Sequence, residues 1–361
     1  MDKDLNRERS FSRRAILWGV SALLVALAAE GWVRLDDHER YGTPWRHTPD
    51  FTADLTVHDS LGVRGRPSGV HKAWRLNSAG FRSPEDVLVA RPGCPAVAVL
   101  GASETFGYEE RAGKEYPAQL ADSLSTRGCY RVINAGITGA TLPASHQLWV
   151  NWVRRFAPEV VLIYVNPLQF LGESAPVAPK PQMTPRVDER SIRPRLVDRA
   201  KDVVVFPEFV QRRRLVRMVD ALEKGRDSSW FLPRVPDDRL RRFVTEVDSI
   251  VTSISESGAQ PVLVFHAVRD TLLVSDRARY GFEALRQFGA RARSETMVAF
   301  DSAAQAELTN LSGRRNVPIV NLRPLLSGSG ENFVDAVHFT ELGASRVAHH
   351  LAGAVERLRQ K

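Results

Sequence analysis

The sequence predicts an α/β fold: a parallel sheet with helices on both faces. Three observations predict it. Five short apolar runs, at 96–100, 132–135, 160–165, 260–265 and 317–322, are continuous, as in strands covered on both sides. Helix-spaced stretches separate them, at 116–127, 142–156, 240–257 and 280–311, with a closing one at 339–358. Turn-forming residues follow the first three runs: Gly101, Gly136 and the pair Asn166-Pro167.

The elements before the sheet have a different character. Residues 15–29 (AILWGVSALLVALAA) carry no charge, and Gly31-Trp32-Val33 follow Glu30. Lys3, Arg7, Arg9, Arg13 and Arg14 precede them. The excess of basic residues on that side predicts a cytoplasmic tail at 1–14, a transmembrane anchor or signal segment at 15–35, and export of the remainder. Fifteen uncharged residues are short for a span, which snorkelling of Arg14 and Arg34 and a tilt of the helix make up. Ala26-Leu27-Ala28 also resembles a cleavage site and Ser12-Arg13-Arg14 a twin-arginine signal. Each of these readings carries the bulk of the chain out of the cytoplasm.

Residues 36–95 read as a tether and a small β-rich lead-in, polar and Pro-containing to 55 and then alternating short apolar pieces with Gly, Pro and Asn. The largest unit is 96–361. An insertion at about 172–235 interrupts its rhythm, opening on a Pro-rich stretch (APVAPKPQMTPR) and continuing through Arg-rich segments. Cys94 and Cys129 are the only cysteines, each just ahead of an apolar run. If those runs are neighbouring parallel strands, both cysteines lie at one sheet edge, where a disulfide suits an oxidising compartment and two buried thiols are the alternative.

The composition, 43% hydrophobic and 25% charged over 361 residues, is that of a globular chain. The formal charge of +8 fits anionic lipid, anionic polysaccharide or simply Arg-rich solvated helices. Nucleic acid is not expected, because no zinc-finger spacing, basic zipper or aromatic RNA-binding signature is present. No metal or cofactor is expected either, since the histidines form no ligand-spaced cluster. His146, His266, His349 and His350 read as packing or surface residues.

Open parallel sheets bind ligands at the carboxyl ends of their strands. After the first run stands Gly101-Ala102-Ser103, a serine at a strand-to-helix turn where the helix end favours developing negative charge. After the second, Gly136 offers a backbone N–H at close approach. After the third, Asn166 offers a carboxamide. Near the C-terminus, Asp335-Ala336-Val337-His338 lets one turn present an imidazole and a carboxylate to orient it.

In order and identity these four pieces resemble the blocks of the SGNH (GDSL-type) hydrolase family over about residues 96–358. Leu76-Asn77-Ser78-Ala79-Gly80-Phe81-Arg82 is similar to the segment that precedes the catalytic domain in membrane-anchored members. The resemblance implies a three-layer α/β/α sandwich with a flavodoxin-like sheet and a triad of Ser103, His338 and Asp335. It implies an oxyanion hole from the Ser103 and Gly136 N–H groups and the Asn166 side chain. Ala102 and Glu104 flank the serine where the family has Asp and often Leu, and Asn166-Pro167 replaces Asn-Asp.

The expected function is hydrolysis of O-acyl esters on an acylated small molecule or a cell-envelope polysaccharide. The alternatives are acyl transfer to a polysaccharide by the same triad, beside an integral membrane acyl donor, and a catalytically silent glycan-binding or assembly protein.

Overall fold

The computed structural model describes residues 2–41, 55–71, 74–172, 229, 231–269, 292–334 and 337–359, and in the first helix the side chains of residues 14–35. That helix, α1, runs Asp2–Tyr41, well beyond the predicted 15–35. The flanking charged residues are good helix formers, and the stop signals Gly42 and Pro44 come only after Tyr41 in the sequence. Its segment Arg14–Leu35 is long and apolar enough to cross a membrane, and Trp18, Leu24 and Trp32 on it are exposed.

The lead-in forms two antiparallel hairpins, β1 (Thr56–Asp59) with β2 (Gly62–Gly65) and β3 (Val70–His71) with β4 (Trp74–Arg75). A 3₁₀ turn at Glu85–Leu88 leads to the sheet. The sheet is five-stranded and wholly parallel: β5 (Ala96–Gly101), β6 (Arg131–Gly136), β7 (Val160–Val165), β8 (Gln260–Phe265) and β9 (Ile319–Asn321), in the order β6-β5-β7-β8-β9. This is the flavodoxin-like order, whose switch point lies between β5 and β7.

Because side chains alternate along a strand, each strand feeds two cores. Ala98, Leu100, Ile133, Val161, Ile163 and Phe265 point to one face. There they meet Leu148 of α4 (Leu142–Leu148), Phe243, Val247, Ile250 and Ile254 of α5 (Asp237–Glu256), and Phe300, Ala304 and Leu308 of α6 (Ser294–Arg315). Val97, Val99, Val132, Leu162 and Val264 point to the other, against Leu120 and Leu124 of α3 (Tyr116–Ser125) and Val347, Leu351 and Val355 of α8 (Glu341–Arg359). The spacing 243, 247, 250, 254 is the one-faced stripe of a helix lying on a sheet. At roughly 2 kcal/mol per large aliphatic side chain, these two cores dominate the fold's stability.

Two further α-helices are short: α2 (Ser103–Phe106) and α7 (Arg323–Leu326). The predicted helix at 142–156 begins as α4 but becomes a π-turn at Trp149–Val153 and a 3₁₀ turn at Arg154–Phe156. The first part of the predicted helix at 280–311, and the insertion from 173 to 228, lie outside the described residues. Cys94 and Cys129 are joined in a disulfide at the amino ends of β5 and β6, their Cα atoms 4.7 Å apart.

Candidate active site

The site starts from the turn after β5. Gly101 ends the strand, and a Cβ there would lie 2.0 Å from Thr105 Oγ1, so only glycine lets α2 fold back this closely. Ser103 is the first residue of α2, so its N–H is one of the leading donors that a helix leaves without an intrahelical partner. Thr105 Oγ1 and the buried Tyr116 hydroxyl share a 2.7 Å hydrogen bond that ties α2 to α3.

His338 comes from 235 residues further along the chain, and its Nε2 lies 2.8 Å from Ser103 Oγ. That is the contact a base needs to take the serine proton. Its loop is pinned at the base by a bridge between Phe333 and Phe339 and by Val334 N–H donating to His338 O at 2.9 Å. The Tyr108 ring lies against the imidazole, centroids 5.4 Å apart. Asp335, the predicted orienting carboxylate, lies outside the described residues.

Asn166 stands at the end of β7, next to β5 across the switch point. Its Oδ1 accepts from Leu168 N–H at 3.1 Å, which caps the 3₁₀ turn Pro167–Leu171. Its Nδ2 donates to Glu104 Oε1 at 3.1 Å. Glu104 is buried, and its other oxygen accepts from Ser103 Oγ at 3.3 Å. The structure thus brings Ser103, His338 and Asn166 together, with Glu104 between the serine and the amide.

Gly136 requires a correction. Its N–H is already donated to Asn134 Oδ1 at 3.0 Å and is buried, so it is not an open donor for an oxyanion. Its glycine identity has another cause: a Cβ would lie 2.3 Å from Phe106 N, so the residue lets β6 press against α2.

Beneath α2 lies a buried charge cluster that sequence reading missed. Arg82, from the lead-in, donates to Phe106 O at 2.9 Å, to Gly107 O, and to Glu110 O at 3.1 Å, satisfying the carbonyls at the end of α2. It also pairs with Glu115 at 3.2 Å. Burial works against the Arg82 charge, and Glu115 and Glu110 restore it. Glu110 is buried, and desolvation pushes its carboxyl up to about 8 against the pull of Arg82 and His338. Its Oε1 has no hydrogen-bond partner among the described residues. In the sequence Arg82 stands in the lead-in segment 76–82 and Glu110 and Glu115 follow α2. None of them could be seen as buried without the fold.

Among the described residues no group of three or more His, Cys, Asp and Glu is placed to hold a metal ion.

No protein-family model and no curated protein matches the chain. Solved structures do. A GDSL-like lipase from Bacteroides thetaiotaomicron is 12% identical, with 76% of this chain and 95% of that one covered and a TM-score of 0.43. A lipase/acylhydrolase from Enterococcus faecalis is 13% identical, with 72% and 95% covered and a TM-score of 0.42. The acetyl xylan esterase AlAXEase is 15% identical, with 72% and 99% covered and a TM-score of 0.42.

Proposed function

We propose that the chain is a serine ester hydrolase acting on O-acyl groups, held at a membrane by α1 with its catalytic body outside the cytoplasm. One observation carries the chemistry: His338 Nε2 stands 2.8 Å from the hydroxyl of a serine at a helix N-terminus beside a carboxamide. With Nε2 unprotonated, His338 takes the Ser103 proton as Oγ attacks the acyl carbonyl. The oxyanion meets the Ser103 N–H and the free hydrogen of the Asn166 amide. His338 then gives its proton to the leaving alkoxide. Water repeats the sequence on the acyl-enzyme, and Asp335 orients the imidazole throughout.

The disulfide supports an oxidising compartment, and the basic residues before the apolar segment support a cytoplasmic N-terminus. Treating the full-length chain in detergent with a fluorophosphonate probe and with p-nitrophenyl acetate tests the nucleophile. Ser103→Ala should abolish labelling and lower turnover by at least about 10³-fold. Equal labelling of the variant and the wild type would refute the assignment.

A further inference from the structure

We propose that Glu104 is a positioning residue for the oxyanion donor: its buried carboxylate fixes the Asn166 amide so that one N–H is held and the other faces the reacting carbonyl. The inference rests on the esterase reading above and adds a residue to it.

Three contacts define the arrangement. Asn166 Oδ1 is engaged by Leu168 N–H at 3.1 Å, so the amide cannot be flipped without losing a backbone hydrogen bond. Asn166 Nδ2 carries two hydrogens, and one goes to Glu104 Oε1 at 3.1 Å. Asn166 O in turn accepts from Gln169 Nε2 at 3.0 Å, which closes the turn behind it. The amide is therefore held at oxygen and at one N–H, and a single N–H is left to project. An amide held only at its oxygen would keep a free swing about its last torsion, and part of the donor's value would go to ordering it at the moment of reaction.

The placement of Glu104 makes this its role rather than acid–base chemistry. It is buried, and it meets Ser103 Oγ only at 3.3 Å, while His338 holds the same hydroxyl at 2.8 Å. The serine has one proton, and the shorter contact belongs to the imidazole. A carboxylate set this close to a developing oxyanion would oppose it unless its charge were engaged, and the Asn166 N–H engages it. Pro167 follows Asn166 and has no N–H or side-chain charge to offer the amide, so Glu104 is the carboxylate that reaches it from the nucleophile's own helix.

The test is a mutant cycle on the full-length chain in detergent. Glu104→Leu should lower kcat about 10-fold and leave KM within about twofold, because the lost orientation matters in the transition state. Glu104→Gln, whose amide oxygen still accepts from Asn166, should stay within about threefold of wild type. In an Asn166→Ala background, Glu104→Leu should cost less than about twofold, since its target is gone. Wild-type kcat in Glu104→Leu, or an equal loss in both backgrounds, would overturn the proposal.

A second readout does not depend on turnover. In protein labelled with ¹⁵N at asparagine side chains, the Asn166 amide signal should move and exchange faster with water in Glu104→Leu than in wild type. An unchanged signal would overturn the role of Glu104 even in a protein whose Ser103 fails to label. Absence of labelling with a shifted signal would instead count against the esterase reading alone.

Discussion

Two carboxyls within a few residues of Ser103 meet opposite surroundings. Glu104 accepts from Asn166 and Ser103, while Glu110 is buried with one oxygen unpartnered among the described residues. The Glu110 carboxyl titrates near 8 when folded and near 4.5 when unfolded. Between those values the native state binds the extra proton, so stability falls as pH rises through the window and is flat beyond it. Glu110→Gln stays neutral throughout. Its thermal or denaturant stability should match wild type near pH 4 and exceed it by about 2–4 kcal/mol above pH 8. A constant difference across that range would show that Glu110 does not carry the proton. At this scale the candidate site residues are legible in the sequence but their neighbours are not. Ser103, Asn166 and His338 follow recognisable turns. Gly136 is open to misassignment because a glycine kept for close packing and one kept for an open N–H look alike in a string. Glu110 is buried beside Arg82, 28 residues away, which donates to its carbonyl, and no local pattern reports it.

Among elements, α2 is the one on which most depends. At four residues it cannot stand by its own hydrogen bonds, and its order comes from what surrounds it. Gly101 and Gly136 admit it, the Thr105–Tyr116 bond ties it to α3, and Arg82 fills its carboxyl end. Arg82→Met removes the cation from two buried carboxyls and unsatisfies the α2 carbonyls. It should destabilise the protein by about 3–5 kcal/mol and lower kcat, read by urea unfolding alongside ester turnover. Intact stability would mean that water replaces the guanidinium. The long strands and helices are legible because their apolar period is strong, as with 160–165 and 260–265. The break of the 142–156 pattern into α, π and 3₁₀ turns is not, since Trp149, Trp152 and Val153 keep packing inward while the hydrogen bonding changes. The extension of α1 to Tyr41 is hidden for the opposite reason: charge that suggests a tether is equally compatible with helix.

At the scale of the whole molecule, the site and the disulfide occupy opposite ends of the sheet. Ser103, Asn166 and His338 gather at the carboxyl ends of the strands, and Cys94–Cys129 closes the amino ends of β5 and β6. The bond spans 35 residues of sequence, which on the chain-entropy model corresponds to about 3–4 kcal/mol. A Cys94→Ala/Cys129→Ala pair should therefore lose stability of that order while KM for a small ester stays within about twofold. A large change in KM would mean that strain travels along β5. The sheet order itself is foreseeable from the alternation of strand and helix together with the switch-point rule. The contribution of the lead-in is not, because 56–95 reads as a separate small unit.

The lead-in decides where the chain can be divided. The division at residue 96 follows the sheet, yet the guanidinium that balances the buried acids beneath α2 comes from residue 82. A fragment starting at Ala96 would inherit Glu110 and Glu115 without their counter-ion. Chimeras that exchange the lead-in between homologues should succeed only when the arginine and both acids travel together, so the smallest portable module begins upstream of Arg82, not at the first strand of the sheet.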